Sequence, residues 1–293
     1  MLPMDTSPAH PAPRHIALVY HNGIADALSI ARAMADSIHS CGDGREAELY
    51  SQQDASFAEN LQRYDLAIAL GGDGTILRVS YTCSEKNIPV LGVNLGRLGF
   101  LAELQRTDWK PGLEKVCRGD YWFEERMMLQ VQEERADRIL GEWHVLNECA
   151  ITRGGGMKMV QLETRIDGQP LTTYAADGLI AATPTGSTAY ALAAGGPILP
   201  PELRAILLVP VAPHLSVERA VVLPEGAEVF IRVHTDSPAV LSCDGQHHAE
   251  VLNGDCVRIR ASDRLVRFVR VQGRGYFYRN ITTRLNRNPQ AGA

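Results

Sequence analysis

No apolar run in this chain is long enough to cross a membrane, and none of its six cysteines (41, 83, 117, 149, 243 and 256) belongs to a C-x-x-C pair. The first absence argues against a membrane-spanning helix. The second leaves neither a zinc-site spacing nor a disulfide framework, so most of the cysteines read as small buried side chains in a reducing compartment. Basic charge is also lacking. The net charge of −5 gives no support to a nucleic-acid partner held by charge alone. Several catalytic signatures are missing as well. There is no G-x-x-x-x-G-K-[ST] phosphate loop, no G-x-S-x-G elbow and, among nine histidines, no H-E-x-x-H. His247 and His248 are adjacent, but they read as exposed turn residues rather than as a metal pair. Gly42-Asp-Gly44 followed by Ala47 imitates a dinucleotide fingerprint. It precedes a strand instead of following one, and is discounted.

What is present describes a globular protein of 293 residues, 45% hydrophobic and 22% charged, enough for one large or two ordinary domains. Residues 1–14 carry Pro3, Pro8, Pro11 and Pro13 without an apolar core, so they read as a disordered leader and not a secretory signal. The expectation is a cytoplasmic protein with no membrane contact.

The first hundred residues alternate in type. His15 to Tyr20, Glu46 to Tyr50, Leu66 to Leu70 and Ile88 to Val93 are short strand-like runs. Between them, Ile24, Ala27, Leu28, Ala31, Met34, Ala35 and Ile38 recur at helical spacing. Phe57 to Tyr64 reads as a short helix, and another helix follows Gly74. This alternation predicts a Rossmann-like parallel α/β domain over residues 15–120. After a helical stretch near Asp108 to Cys117 the period becomes two. Val160, Leu162, Thr164 and Ile166 alternate with polar residues, and Asp167-Gly168 supplies a hairpin turn. Val229, Ile231 and Val233 alternate, as do Val257 and Ile259, and Val266 and Phe268. The prediction is a C-terminal β-sandwich domain over residues 121–279. The polar tail 280–293 is expected to pack back on the first domain.

Several stretches bear on chemistry. Gly71 to Thr75 reads Gly-Gly-Asp-Gly-Thr and follows the buried strand Leu66 to Leu70, the place where ligands bind on parallel sheets. Its glycines let a phosphate approach backbone amides. Asp73 would repel phosphate, so it suits a hydroxyl or a metal ion, or else simply caps the next helix. Arg78, in that helix, is the cation placed near phosphate. Asn94 to Phe100 is a second glycine-rich segment at a strand end. Asp177 to Leu199 then combines Thr183, Thr185, Ser187 and Thr188 with Gly186 and Gly195-Gly196. Small and hydroxylated side chains let a flat or phosphorylated ligand lie on backbone. Ala189 to Ala194 is read as a helix whose N-terminus would favour a pyrophosphate, and Asp177 as an acceptor for a ribose. Asn147-Glu148 pairs an amide with a carboxylate, suited to an adenine edge or sugar hydroxyls, though the pair is also common at strand edges. Cys243-Asp244-Gly245-Gln246 reads as a hairpin turn.

G-G-D-G-T at 71–75, L-G-x-L-G-F at 95–100, N-E at 147–148 and D-G-L-I-x-x-T-P-T-G-S-T-A-Y at 177–190, in that order, resemble the NAD kinase family. So does Pro213-His214 after an apolar strand. The resemblance runs from about Ile16 to Phe277. G-G-D-G-T alone is shared with lipid kinases and phosphofructokinases; the T-P-T-G-S-T-A-Y run is far more specific. The resemblance implies phosphoryl transfer from ATP, or another donor, to the adenosine 2′-hydroxyl of NAD, giving NADP. It implies a divalent cation, Mg²⁺, arriving with the nucleotide, and a homodimer or homotetramer. Asp73 would be the general base or the residue orienting the hydroxyl, with Gly74 lying against the dinucleotide. Asn147 and Glu148 would hold adenine or ribose groups, and Asp177 a ribose or nicotinamide group. Thr188, Ala189, Tyr190, Ala191, Leu192 and Ala193 would line the dinucleotide. Arg78 and Lys158 match substrate-contacting positions, and Ala212 and Gln246 are weaker matches.

The chain departs from the family pattern after Pro213-His214. The usual Ser-x-Arg-Pro is replaced by Leu215 to Ala220, with Arg219 one residue late and no proline. Position 175 is alanine, where some relatives carry arginine. NAD rather than NADH is the expected acceptor. The rival readings are a lipid kinase built on the same glycine turn and a dinucleotide-binding regulator without catalysis.

Overall fold

Every residue of Leu66–Gly71 is buried, as a strand flanked by strands and covered by helices must be. This is β3 of the first of two units, in a computed structural model that describes residues 10–96, 99–155, 158–214 and 218–286. The first unit runs to Glu125 and resumes at Val266; the second is Arg126–Leu265. In chain order the first unit begins with β1 (His15–Tyr20), α1 (Ala27–Ser40), β2 (Glu46–Ser51), α2 (Ser56–Glu59), β3, α3 (Asp73–Ser84), β4 (Val90–Asn94), β5 (Leu104–Gln105) and α4 (Trp109–Cys117). The five strands are all parallel, in the order β2-β1-β3-β4-β5. Ala27, Ala31, Met34 and Ile38 of α1 are buried against Ile16, Leu18, Leu66 and Ile68, so the helical apolar stripe is the face that packs on the sheet. The segment Phe57 to Tyr64 is not one helix. It is α2 followed by a 3₁₀ turn, Leu61–Arg63, with Asn60 between them.

The second unit contains most of β6 (Trp122–Arg135), then β7 (Arg138–Val145), β8 (Glu148–Arg153), β9 (Val160–Ile166), β10 (Gln169–Ala176), β11 (Gly178–Ala182), α5 (Tyr190–Ala193), β12 (Ala205–Val211), β13 (Val221–Pro224), β14 (Val229–His234), β15 (Ala239–Cys243) and β16 (His247–Val251). β17 (Cys256–Arg270) closes it and returns the chain to the first unit, where α6 (Tyr276–Asn286) follows. One antiparallel sheet has the order β13-β12-β11-β8-β15-β16. In the other, β14 lies between β9 and β17, with β10 beyond β9. Cys149, Leu179 and Leu241 of the first sheet share a core with Leu162, Ile231 and Val257 of the second. This is a β-sandwich, and its alternating strands follow the predicted register. Asp167 and Gly168 take φ of +50° and +77°, the turn that Asp-Gly serves best between paired strands.

The sequence shows period two at 257–259 and at 266–268 as two separate runs; the fold makes them one 15-residue strand. The period-two pattern places residues 266–279 in the second domain, whereas the chain rejoins the first unit at Val266. There Phe268 pairs with Val90. Arg270, fully buried, pairs with Glu103 at 3.4 Å and Glu124 at 2.7 Å. A long alternating strand has no local signal for the point at which it changes unit; only its distant partners set that. Of the tail 280–293, residues 287–293 lie outside the described residues. Among the described residues no helix is long and apolar enough to cross a membrane.

Candidate active site

In the first unit the two glycine-rich segments meet. The carbonyl of Gly71 accepts the Leu95 N–H at 3.1 Å, which fastens the end of β3 to the end of β4. A Cβ at Gly71 would collide with the Thr75 side chain, so glycine is required for the helix to start this close to the strand. Gly72 occupies the N-cap position of α3, and no side chain caps that helix. The capping role considered for Asp73 is therefore not the one it plays. Its carboxylate turns instead to the second segment: Oδ2 accepts the Phe100 N–H at 2.7 Å and Oδ1 the Leu101 N–H at 3.2 Å. A Cβ at Gly99 would overlap that carboxyl group, so Gly99 leaves room for Asp73. The Asp73 side chain is part-exposed, Gly74 is exposed, and Arg78 stands exposed on α3. Residues 97 and 98 of the second segment lie outside the described residues.

In the second unit Asn147 and Glu148 form the corner between β7 and β8, and the 183–190 stretch wraps it. The Thr183 N–H donates to the Asn147 carbonyl at 2.8 Å, and the Thr183 hydroxyl to the Leu146 carbonyl at 2.5 Å. Gly186 sits so close that a Cβ would strike the Asn147 carbonyl. The Tyr190 N–H bonds to the Glu148 carboxyl group. Thus two motifs that are separate in sequence become one surface. Burial, and then the charge of Asp244, push the Glu148 carboxyl up to about 8, with the Tyr190 amide pulling the other way. At neutral pH Glu148 is mostly protonated and can donate a hydrogen bond. Its Oε2 is buried and without a partner, which is unusual for a carboxyl oxygen inside a protein.

The other expected site residues are placed unevenly. Asp177 precedes β11 and pairs with Arg153 at 2.7 Å, both about two-fifths exposed. The Thr188 hydroxyl donates to the Thr185 carbonyl at 3.1 Å. Tyr190 is 41% exposed, and Ala189, Leu192 and Ala193 also reach the surface in part. Ala191 does not: it is fully buried beside Ile180 and Leu207. The helix expected over Ala189 to Ala194 is only the four residues of α5: Ala189 enters it with a non-helical φ of −104° and ψ of −124°, and Gly195 leaves it with a φ of +86°. Four residues align too few peptide dipoles to hold a pyrophosphate as a longer helix would. Ala212 is exposed with a φ of +45°. Gln246 closes the turn after β15, its N–H on the Cys243 carbonyl at 3.0 Å. Lys158 is exposed and paired with Asp236 at 2.7 Å, on the loop between β14 and β15.

Sequence reasoning missed Asp244. It reads locally as part of a hairpin turn, and its φ of +50° fits that. Yet its carboxylate accepts three successive backbone N–H groups, from Leu146 at 2.8 Å, Asn147 at 2.8 Å and Glu148 at 3.0 Å. Burial pushes Asp244 up to about 6, and the three amides oppose this. Arg126, 2% exposed, was missed too; it donates to the Thr185 hydroxyl at 3.0 Å. No local pattern marks either residue, since their partners are 59 to 98 positions away.

Residues 16–121 match the family model of the ATP-NAD kinase N-terminal domain, and residues 146–271 that of the C-terminal domain. The chain belongs to the NAD kinase family. It is 40% identical over 271 residues to the NAD kinase of Chloroflexus aggregans, covering 92% of this chain and 98% of that one. Against the NAD kinase of Dehalococcoides mccartyi it is 37% identical over 279 residues, covering 95% and 98%. Among solved structures, yeast NADH kinase complexed with NADH superposes with a TM-score of 0.81 at 27% identity, over 96% of this chain and 89% of that one. An NAD kinase from Archaeoglobus fulgidus in complex with ATP gives 0.74 at 26% identity, over 93% and 99%. The activity of the chain is NAD kinase, a phosphotransferase activity, and its fold is the α/β domain plus β-sandwich that these relatives share.

Proposed function

We propose that the chain transfers the terminal phosphoryl group of ATP to the adenosine 2′-hydroxyl of NAD, with Asp73 taking the hydroxyl proton. The observation that carries this is the Asp73 carboxylate itself. It stands at the start of α3 with Phe100 and Leu101 amides fixing its two oxygens. A carboxylate is the acceptor that the hydrogen of an incoming hydroxyl requires. Held this way, the carboxylate meets the main demand of phosphoryl transfer, which is position.

Binding falls to the second unit in this reading. Asn147 offers an amide edge, protonated Glu148 a donor, and Tyr190 a half-exposed ring beside them. The buried Oε2 of Glu148 is without a partner and is left for a ligand to satisfy. Among the described residues no group of three or more histidine, cysteine, aspartate or glutamate side chains could hold a metal ion. The divalent cation arrives with the nucleotide, where it neutralises phosphate charge. The preference for NAD over NADH, ATP over other donors, a homodimeric or homotetrameric assembly and a cytoplasmic setting belong to the same proposal. No observation favours the lipid kinase or the non-catalytic reading.

The test is a radiolabelled ATP assay with NAD and NADH side by side, on the wild type and Asp73→Asn. The variant should lose at least about 10²-fold in kcat, the usual contribution of a positioned base. Turnover within a few-fold of wild type would reduce Asp73 to a turn residue. Tyr190→Ala should raise KM for NAD more than KM for ATP; equal effects would move the dinucleotide elsewhere.

A further inference from the structure

We propose that Cys41 and Cys117 form a dithiol–disulfide site, in which the two side chains close into an intramolecular disulfide when a low-molecular-weight disulfide is the oxidant. Cys41 follows the last residue of α1, and Cys117 is the last residue of α4. One buried guanidinium draws the two together. Arg45, 8% exposed, donates from Nη1 to the Cys41 carbonyl at 3.0 Å and from Nη2 to the Cys117 carbonyl at 2.8 Å. A rigid fork spanning both carbonyls brings the backbones close, and the two side chains are in hydrogen-bonding contact. Backbone proximity with facing side chains is the main geometric demand of a disulfide.

The two thiols differ in access, which assigns their roles. Cys41 is exposed and Cys117 is buried. Cys41 opens onto a cleft of about 370 Å³, also lined by Asp36, Ser37, Ser40, Lys110 and Glu114, which admits a small disulfide. Burial and the neighbouring Cys41 push the Cys117 thiol up to about 12, while Arg45 draws it down. Cys41 therefore reacts first and Cys117 resolves. The Cys41 thiolate attacks one sulfur of R–S–S–R, that S–S bond breaks, and one R–S⁻ leaves. Cys117 then attacks the Cys41 sulfur and expels the second R–S⁻. Two protein thiols are oxidised to one disulfide. The small disulfide is reduced to two thiols, which take up the two protons.

The molecule contains its own control. Cys149 and Cys243 are register partners on β8 and β15, but they are 1% and 2% exposed and burial raises both thiols. With neither thiol exposed, an external disulfide has no sulfur to reach. The site is thus defined by one exposed member, and not by proximity alone.

The experiment incubates the full chain in mixtures of reduced glutathione and glutathione disulfide, then counts free thiols after denaturation and maps the peptides. In the oxidising mixture the count should fall from six to four, with a mass loss of about 2 Da and a linked peptide pair containing Cys41 and Cys117. Cys117→Ser should retain glutathione on Cys41, and Cys41→Ser should show neither link nor adduct at Cys117. Six free thiols in the oxidised wild type, a link between any other pair, or a stable glutathione adduct on wild-type Cys41 would each overturn the proposal.

Discussion

Glu148 and Asp244 hold each other twice. The Glu148 N–H donates to Asp244 Oδ1 at 3.0 Å, and the Asp244 N–H donates to the Glu148 carbonyl at 2.9 Å. The reciprocal pair ties the turn after β15 to the first residue of β8. It also sets the Asp244 carboxylate close enough to raise the Glu148 carboxyl.

Replacing Asp244 with alanine leaves the amides of Leu146, Asn147 and Glu148 without their acceptor. Each buried donor left unpaired costs about 1–3 kcal/mol. Urea unfolding should show a loss of about 3 kcal/mol or more for Asp244→Ala, and a smaller loss for Asp244→Asn, which keeps one acceptor oxygen. In whatever Asp244→Asn protein folds, KM for NAD should rise more than KM for ATP if Asn147 and Glu148 hold the dinucleotide as proposed.

The same pair makes stability depend on pH. Glu148 moves from an ordinary 4.5 up to about 8 in the folded chain, and Asp244 from 3.8 to about 6. Between the unfolded and folded values the folded state holds more protons, so these groups stabilise at low pH and the benefit fades as pH rises. For Glu148 the benefit is complete below about 4.5 and lost by about 8. The slope approaches about 1.4 kcal/mol per pH unit for a group fully offset. Glu148→Gln should flatten the fall in unfolding free energy between about pH 6 and pH 8, measured by urea titration across that range. An unchanged slope would show that Glu148 is ionised in the folded chain.

Gly99 tests the positioning of Asp73 without touching it chemically. A Cβ there would overlap the Asp73 carboxyl group, so Gly99→Ala must displace the carboxylate or the 99–101 backbone. A displacement near 1 Å costs up to about 10²-fold in rate. Gly99→Ala should therefore lower kcat by about 10- to 10²-fold with KM for NAD little changed. Steady-state kinetics on the folded variant read this directly.

Arg270 anchors the returning end of β17. It is fully buried, over the ring of Tyr276, with Glu103 and Glu124 as ionic partners. Arg270→Met strands two buried carboxylates, and removing one member of such a cluster costs about 3–5 kcal/mol. Adding Glu103→Gln and Glu124→Gln should restore part of that loss. Chemical unfolding of the single and triple variants decides it.

Much of this was readable along the chain. The parallel α/β unit follows from strand runs such as Leu66 to Leu70 alternating with the α1 stripe, since both periods are local. The hairpin at Asp167-Gly168 is local for the same reason: its dihedral angles are a property of two residues. The site segments could be found too, because glycine and hydroxyl density at strand ends is a pattern within a dozen residues. Even there a local reading erred, by one residue at each end of α5.

Local pattern alone was enough for the fold class, the family and the choice of Asp73, Asn147, Glu148 and Tyr190 as residues of chemical interest. What those groups are bonded to came only with the closed fold. It turned Asp73 from its own helix to the amides of Phe100 and Leu101, buried Ala191 and set Asp244 beneath Asn147 and Glu148. It also returned β17 to the first unit. Local patterns are written in backbone dihedrals and in alternation of burial, which a few neighbours fix. A hydrogen bond to an amide 27 or 96 positions away depends on how the whole chain closes, and the residues beside it carry no trace of that.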